Sequence, residues 1–160
     1  MSRADPLARV VFALLVAACF AAFFVTQRLK HTPTAVQRFK LTPYFSPYPS
    51  GHVREEAISF RVGDSEPVTV AVIDSNGNTV ATLLHDHPLQ RYKTLSLRWN
   101  GRRGEAHGYT TETSPSGHTT SLVPRTRGRL AQPGEYRIRV ELRRKGKQVD
   151  SPKSFTLRAP

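Results

Sequence analysis

The sequence predicts an all-β chain: an antiparallel β-sandwich of roughly 100 residues behind a single N-terminal transmembrane helix. Three observations predict it. An uncharged apolar run occupies residues 10–26. From residue 55 onward, apolar side chains recur with a period of two. Gly, Asn and Pro punctuate the intervals between these alternating stretches. The 160 residues, with 12 Pro and 10 Gly, are too few for a large barrel enzyme or a kinase and too interrupted for a long helical bundle. The single cysteine, Cys19, excludes a disulfide framework and a cysteine-built metal site.

Residues 1–30 read as a signal-anchor or transmembrane segment whose partner is the lipid bilayer. VVFALLVAACFAAFFVT, residues 10–26, is 17 residues long. As a helix it reaches about 25 Å at 1.5 Å per residue, against a hydrocarbon core about 30 Å thick. Leu7, Ala8 and the stems of Arg9, Arg28 and Lys30 extend it. Two other fates stand beside the anchor. Val16-Ala17-Ala18-Cys19 is similar to a lipoprotein processing site, although the apolar run continues past Cys19. Ordinary signal cleavage is the other, without a clean small-x-small site. Arg28, Lys30, Arg38 and Lys40 follow the run, whereas only Arg3 and Arg9 precede it, which favours a cytoplasmic C-terminus. Large domains translocate regardless of that balance. The expected placement is a bacterial cytoplasmic membrane, single-pass, with the C-terminal domain outside.

Residues 31–52 contain Pro33, Pro43, Pro47 and Pro49 and read as an extended linker, with Tyr44 and Phe45 at the edge of the domain. The domain itself is placed at 53–160. Ile58, Phe60 and Val62 alternate with Ser59 and Arg61. Val68, Val70 and Val72 form a strand whose intervening Ala71 and Ile73 suggest cover on both faces. Asp74-Ser75-Asn76-Gly77-Asn78 is a tight turn, with Asn-Gly supplying positive φ. Strands follow at 80–84, at Leu95, Leu97 and Trp99, at Tyr136, Ile138, Val140 and Leu142, and at Phe155 and Leu157. Trp99, the only tryptophan, is the expected centre of the core. Residues 104–130 are rich in Gly, Ser, Thr and Pro and read as a flexible insertion; a partner-binding loop and an extra edge hairpin are the other readings.

These residues resemble a known module. Val68-x-Val70-x-Val72-Ile73-Asp74-x-x-Gly77-x-x-Val80-x-x-Leu83, Trp99-Asn100-Gly101-Arg102 and Pro133-Gly134-Glu135-Tyr136-Arg137-Ile138-Arg139-Val140 are similar to the FlgD-type Ig-like domain of the bacterial flagellar hook-capping protein. Phe45-Ser46-Pro47 followed by Ile58-Ser59-Phe60 resembles its opening, where Tyr48-Pro49-Ser50-Gly51 departs from the usual pattern. The resemblance covers roughly 44–160. It implies an Ig-like sandwich in which Trp99, Tyr136 and Gly134 are structural, and a spacer or accessory role on a surface protein rather than catalysis.

Candidate chemistry is sparse. His85-Asp86-His87 would place two imidazoles on one strand face, but no third metal ligand is spaced nearby, so no metal or other cofactor is expected. Cys19 lies in the apolar run, no serine sits in a Gly-x-Ser-x-Gly frame, and Glu55 and Glu56 would point to opposite faces of a strand. No catalytic residue and no small-molecule substrate follow. Charge is the remaining signal. The chain has 24 Lys+Arg against 12 Asp+Glu, and eleven of those cations lie in 125–160 with three carboxylates. Arg137, Arg139 and Arg143, with Arg144, Lys145 and Lys147 in the next turn, compose an expected cationic patch, entered by Arg125, Arg127 and Arg129. Such a patch suits an anionic lipid or wall polymer. Without interleaved aromatics, nucleic acid is not the expected partner. The function expected is a membrane-tethered envelope module that binds a protein or polymer, with polyanion binding through this face as the alternative.

Overall fold

The computed structural model describes residues 6–30, 35–114, 117 and 119–160, and within the helix the side chains of 10–26. It comprises two units, residues 1–34 and 35–160.

The first unit holds one helix, α1, Pro6–Lys30. Every described side chain from Val10 to Thr26 is exposed, Phe12, Phe20 and Phe24 by 66–74%. Among the described residues, no helix is long and apolar enough to cross a membrane. The expectation of a transmembrane helix therefore reduces here to a coarser fact: an α-helix whose described side chains, residues 10–26, are apolar and exposed.

The second unit is all-β. Its strands are β1 (Val36–Leu41), β2 (Tyr44–Phe45), β3 (Glu56–Val62), β4 (Glu66–Asp74), β5 (Thr79–Leu89), β6 (Thr94–Trp99), β7 (Gly104–Thr113), β8 (Thr120–Thr126), β9 (Gly134–Leu142), β10 (Lys147–Asp150) and β11 (Phe155–Leu157). They pair in the order β1-β3-β6-β8-β7-β5-β4-β9-β11-β2, with β10 also on β9. The sheet curls, so that Trp99 from β6 meets Phe45, Tyr136 and Phe155 from β2, β9 and β11 at ring-centroid distances of 5.6–6.0 Å. Most pairings are antiparallel, as the sequence predicts, but β2–β11, β5–β7 and β6–β8 are short parallel pairs.

The alternating residues do what their period predicts. Ile58, Phe60, Val62, Val68, Val70, Val72, Leu97, Ile138, Val140 and Leu157 are all at most 1% exposed, and Ala71 and Ile73 are buried as well. Trp99 is 1% exposed, and its Nε1–H donates to the Arg102 carbonyl at 2.9 Å. The Tyr136 ring packs into the same cluster while its hydroxyl donates to the Gln132 carbonyl, four residues back. The turn after β4 closes through Gly77 at φ 84°, with Asp74 Oδ1 accepting the Asn76 and Asn78 N–H groups at 2.9 Å. Those donors, Asn78 foremost, hold the Asp74 carboxyl below its ordinary range. Gly134 opens β9 at φ 159°, and nothing lies within 4 Å of where a Cβ would stand.

Two boundaries are corrected. Residues 36–41, assigned to the linker, form β1 on the edge of β3, and the compact unit begins at Ala35. Arg38 at φ 54° makes a bulge there, so Val36 and Phe39 are three apart instead of two and the alternation is hidden. Within 104–130, read as a flexible insertion, residues 104–113 and 120–126 pair as β7 and β8, the third reading considered, while 115, 116 and 118 lie outside the described residues. Their rungs include Thr113↔Thr120, Thr111↔Leu122 and Thr110↔Val123. Thr favours extended backbone without needing burial, so the ribbon forms with most of its β7 side chains exposed.

One buried carboxyl closes the curl. Between β1 and β2 the chain crosses from one end of the sheet order to the other through Thr42 and Pro43. The Thr42 N–H donates to Glu56 Oε1 at 2.7 Å, and Ala57 N–H donates to Thr42 Oγ1 at 3.3 Å. Glu56 is fully buried and its Oε2 has no hydrogen-bond partner. Desolvation raises its pKa from 4.5 to about 8, against the opposing pull of the Thr42 N–H. The fold therefore prefers the neutral acid near pH 7.

Trp99→Ala should lower unfolding stability by about 3–5 kcal/mol, and Tyr136→Phe by about 1 kcal/mol, in urea titrations followed by circular dichroism. For Glu56, the raised folded-state pKa means stability is fullest below about 4.5 and is lost as pH rises through about 8. Stability should fall by at most a few kcal/mol across that window. Glu56→Gln, which keeps an acceptor for Thr42, should flatten the dependence of the urea midpoint on pH.

Candidate functional site

The strands run between two ends of the β unit, and the cations sort between those ends. One end holds the loops β3–β4 (63–65), β5–β6 (90–93) and β9–β10 (143–146). The opposite end holds the β4–β5 turn (75–78), the turn after Trp99 (100–103), and the β8–β9 loop (127–133).

The patch expected from the sequence does not stand as a free cationic face. Arg139 makes a two-pronged pair with Asp150, Nε to Oδ1 at 2.8 Å and Nη2 to Oδ2 at 3.0 Å. That pairing raises the Arg139 pKa and lowers that of Asp150. Arg143 pairs with Asp86 at 3.0 Å. Lys145 pairs with Asp64, whose carboxyl is thereby held low while the ammonium is held high. Arg144 reaches only the Ser65 carbonyl, at 3.4 Å. Arg137 and Lys147 are exposed, and among the described residues no carboxylate is within ion-pair distance of either, although Arg137 helps to lower the Asp150 pKa from farther away. Three of the six candidate cations thus have partners on neighbouring strands and loops. The sequence could not show this, because Asp86 and Asp64 lie 57 and 81 residues away. Arg137, Arg139, Asp74 and Asp150 share one open groove of about 350 Å³ in which opposite charges face each other.

A second set of cations is arranged differently. The turn 100–103 and the segment 126–131 are locked together by backbone bonds. Arg103 N–H donates to Arg129 O at 2.9 Å, Gly128 N–H to Arg103 O at 3.1 Å, and Ala131 N–H to Gly101 O at 2.8 Å. Thr126 Oγ1 donates to Asn100 Oδ1 at 3.1 Å, which also accepts the Arg102 N–H. Gly128 is required here: a Cβ would stand 2.1 Å from the Arg103 carbonyl oxygen. This frame, hung on the Trp99 indole through Arg102 O, carries exposed Arg102, Arg103, Arg127 and Arg129, with Arg125 at the end of β8. Among the described residues, none of these five has a carboxylate within ion-pair distance; Arg102 spends one N–H on the Gly128 carbonyl. A guanidinium cluster on a fixed backbone binds oxyanions with little ordering cost. Its signal in the sequence was the arginine density of 125–129; the docking of that segment onto Arg102-Arg103 was not readable.

The His85-Asp86-His87 segment lies on β5. Asp86 at φ 46° marks a bulge, and the register shifts between Val68 and Val70 opposite. The imidazoles consequently meet different surroundings. His85 is exposed beside Asp86, whereas His87 packs edge-on against Tyr109 at 5.6 Å and burial lowers its pKa. Among the described residues, no three His, Cys, Asp or Glu side chains converge as metal ligands would. Glu55 and Glu56 do diverge: Glu55 meets Arg98 at 3.6 Å on the outer face, and Glu56 points into the core.

No protein-family model matches the chain, and no curated protein is similar to it.

Proposed function

We propose that this chain is a membrane-anchored β-sandwich module of a bacterial envelope, working by contact rather than by turnover, with its β unit outside the cytoplasmic membrane. The carrying observation is α1, whose described residues 10–26 are apolar and exposed on every side. Such a helix in water leaves a large apolar surface hydrated, and a bilayer removes that cost. A bilayer also accommodates an apolar run a few ångströms short of its thickness by thinning locally. An FlgD-type Ig-like assignment for the β unit draws support from the buried Trp99, the turn at Asn100-Gly101 and the Tyr136 hydroxyl bonded upstream.

A second reading, polyanion binding, is favoured by one specific observation: among the described residues, the arginine frame of 100–103 and 126–131 has no carboxylate partner within ion-pair distance. It moves the candidate surface from the β9 face to the end of the unit. An anionic wall polymer is the partner class that fits an exposed, rigid guanidinium cluster on an exported unit.

After expression in bacterial cells, the chain should remain with membranes through alkaline extraction, and protease added outside intact cells should cleave the β unit; release into the soluble fraction would overturn the anchoring. For the second reading, Arg127→Glu with Arg129→Glu should reduce the salt dependence of retention on phosphocellulose by about two counterions. Arg139→Glu, which disrupts an internal pair, should change the salt dependence less.

A further inference from the structure

We propose that the end of the β unit at which the chain enters it is a docking surface for an anionic lipid bilayer, with Tyr92 and the surrounding cations contacting the headgroups. This rests on the anchoring proposed above and adds a second point of attachment.

The entry point is fixed by a hydrogen bond. Gly63 N–H donates to the Ala35 carbonyl at 2.9 Å, so the first residue of the β unit is tied to the β3–β4 loop. Only four residues, 31–34, lie between Ala35 and the end of α1 in the sequence. A chain anchored through α1 thus reaches the β unit first at the loops around Ala35.

Those loops form one stitched rim. Tyr92 N–H donates to Val62 O at 3.0 Å, Arg91 N–H to Ser65 Oγ at 2.9 Å, and Arg91 Nε–H to Gly63 O at 3.0 Å. The β9–β10 turn joins through Arg144 on Ser65 O and Lys145 on Asp64. Tyr92 is held at φ 59°, unusual for an aromatic residue, and the residue is 49% exposed. Arg91 lies over that ring at 4.6 Å from the centroid and donates to the hydroxyl at 2.9 Å. An exposed aromatic ring with a polar tip is the side chain that settles at a membrane interface.

The charge has the complementary sign. Arg91, Lys93, Arg143, Arg144, Lys145 and Lys147 are exposed on this rim, against Asp64 and Asp86 at the surface and Glu66 buried beneath. Arg143 and Lys145 are engaged by Asp86 and Asp64. Among the described residues, Arg91, Lys93, Arg144 and Lys147 have no carboxylate within ion-pair distance; Arg91 is held by Gly63 O and the Tyr92 hydroxyl and Arg144 by Ser65 O, so Lys93 and Lys147 are the cations most open to lipid phosphate. Basic residues next to a membrane insertion point attract anionic lipid over a range of one Debye length.

The test uses the full chain reconstituted in phosphatidylcholine vesicles, without and with about one third phosphatidylglycerol. Amide hydrogen exchange is read at residues 63–65, 90–93 and 143–146. On anionic vesicles, exchange there should slow about threefold or more. Exchange at 75–78 and 127–133 should not change. Lys93→Glu with Arg144→Glu should abolish the difference between the two lipids while the chain still floats with both. Equal exchange on both vesicle types, with the chain floating, would overturn the docking surface and leave the anchoring intact. Protection at 127–133 instead would overturn it as well. A chain that fails to float would overturn the anchoring, and the docking surface with it.

Discussion

The aromatic cluster around Trp99 is the contact on which the remaining architecture depends. It joins β6 to β2, β9 and β11, strands from the two halves of a sheet that would otherwise be an open ribbon. Each ring has a second task. Phe45 holds β2 in place and so returns the start of the chain to the far end of the strand order. Tyr136 fixes the β8–β9 corner through its hydroxyl. Trp99 fixes the next turn through its indole N–H, and that turn supports the arginine frame. Core packing and the presentation of surface charge are therefore coupled through a single residue. Aromatic pairs in offset or edge-on geometry add about 0.5–1.5 kcal/mol each beyond area burial, so the cluster outweighs any single surface ion pair.

The buried Glu56 shows the opposite economy. A neutral carboxyl with one unsatisfied oxygen costs stability compared with an apolar side chain of the same volume. What it supplies is a partner for the Thr42 N–H at the crossing between the ends of the strand order, where no ladder is available. An unpaired backbone N–H there would incur a similar penalty. Glu56 thus exchanges one unmet group for another and gains a specified crossing point.

The strands legible in the sequence were those with buried alternation. Ile58-Phe60-Val62, Val68-Val70-Val72 and Ile138-Val140-Leu142 follow the period of two because one face of each is in the core. β1 escaped because its bulge at Arg38 breaks the period, and β7 because its Thr-rich side chains face water and leave no burial pattern. The candidate site was less legible for a different reason. Arg137 and Arg139 do lie along one strand, with Arg143 in the turn just after it, yet the electrostatic meaning of Arg139 and Arg143 depends on Asp150 and Asp86, which only the fold brings close. The Tyr92 rim escaped notice entirely: a lone exposed tyrosine between Arg91 and Lys93 acquires meaning only when Ala35 is seen tied to the adjacent loop.

The distribution of paired and unpaired charge is what gives this small unit two functional directions. Along the body, Arg98 and Arg139 are matched by Glu55 and Asp150, so neighbouring segments attract rather than repel despite a formal charge of +12. The surplus is left on the loops at the two ends, where self-repulsion is screened by water and salt and costs the fold least. At the entry end the surplus surrounds an exposed tyrosine; at the other it is mounted on a rigid frame of backbone hydrogen bonds. A lipid surface and a distant polyanion make different demands, the first for an aromatic tip and diffuse charge, the second for fixed guanidiniums. The two ends of the unit divide along that line.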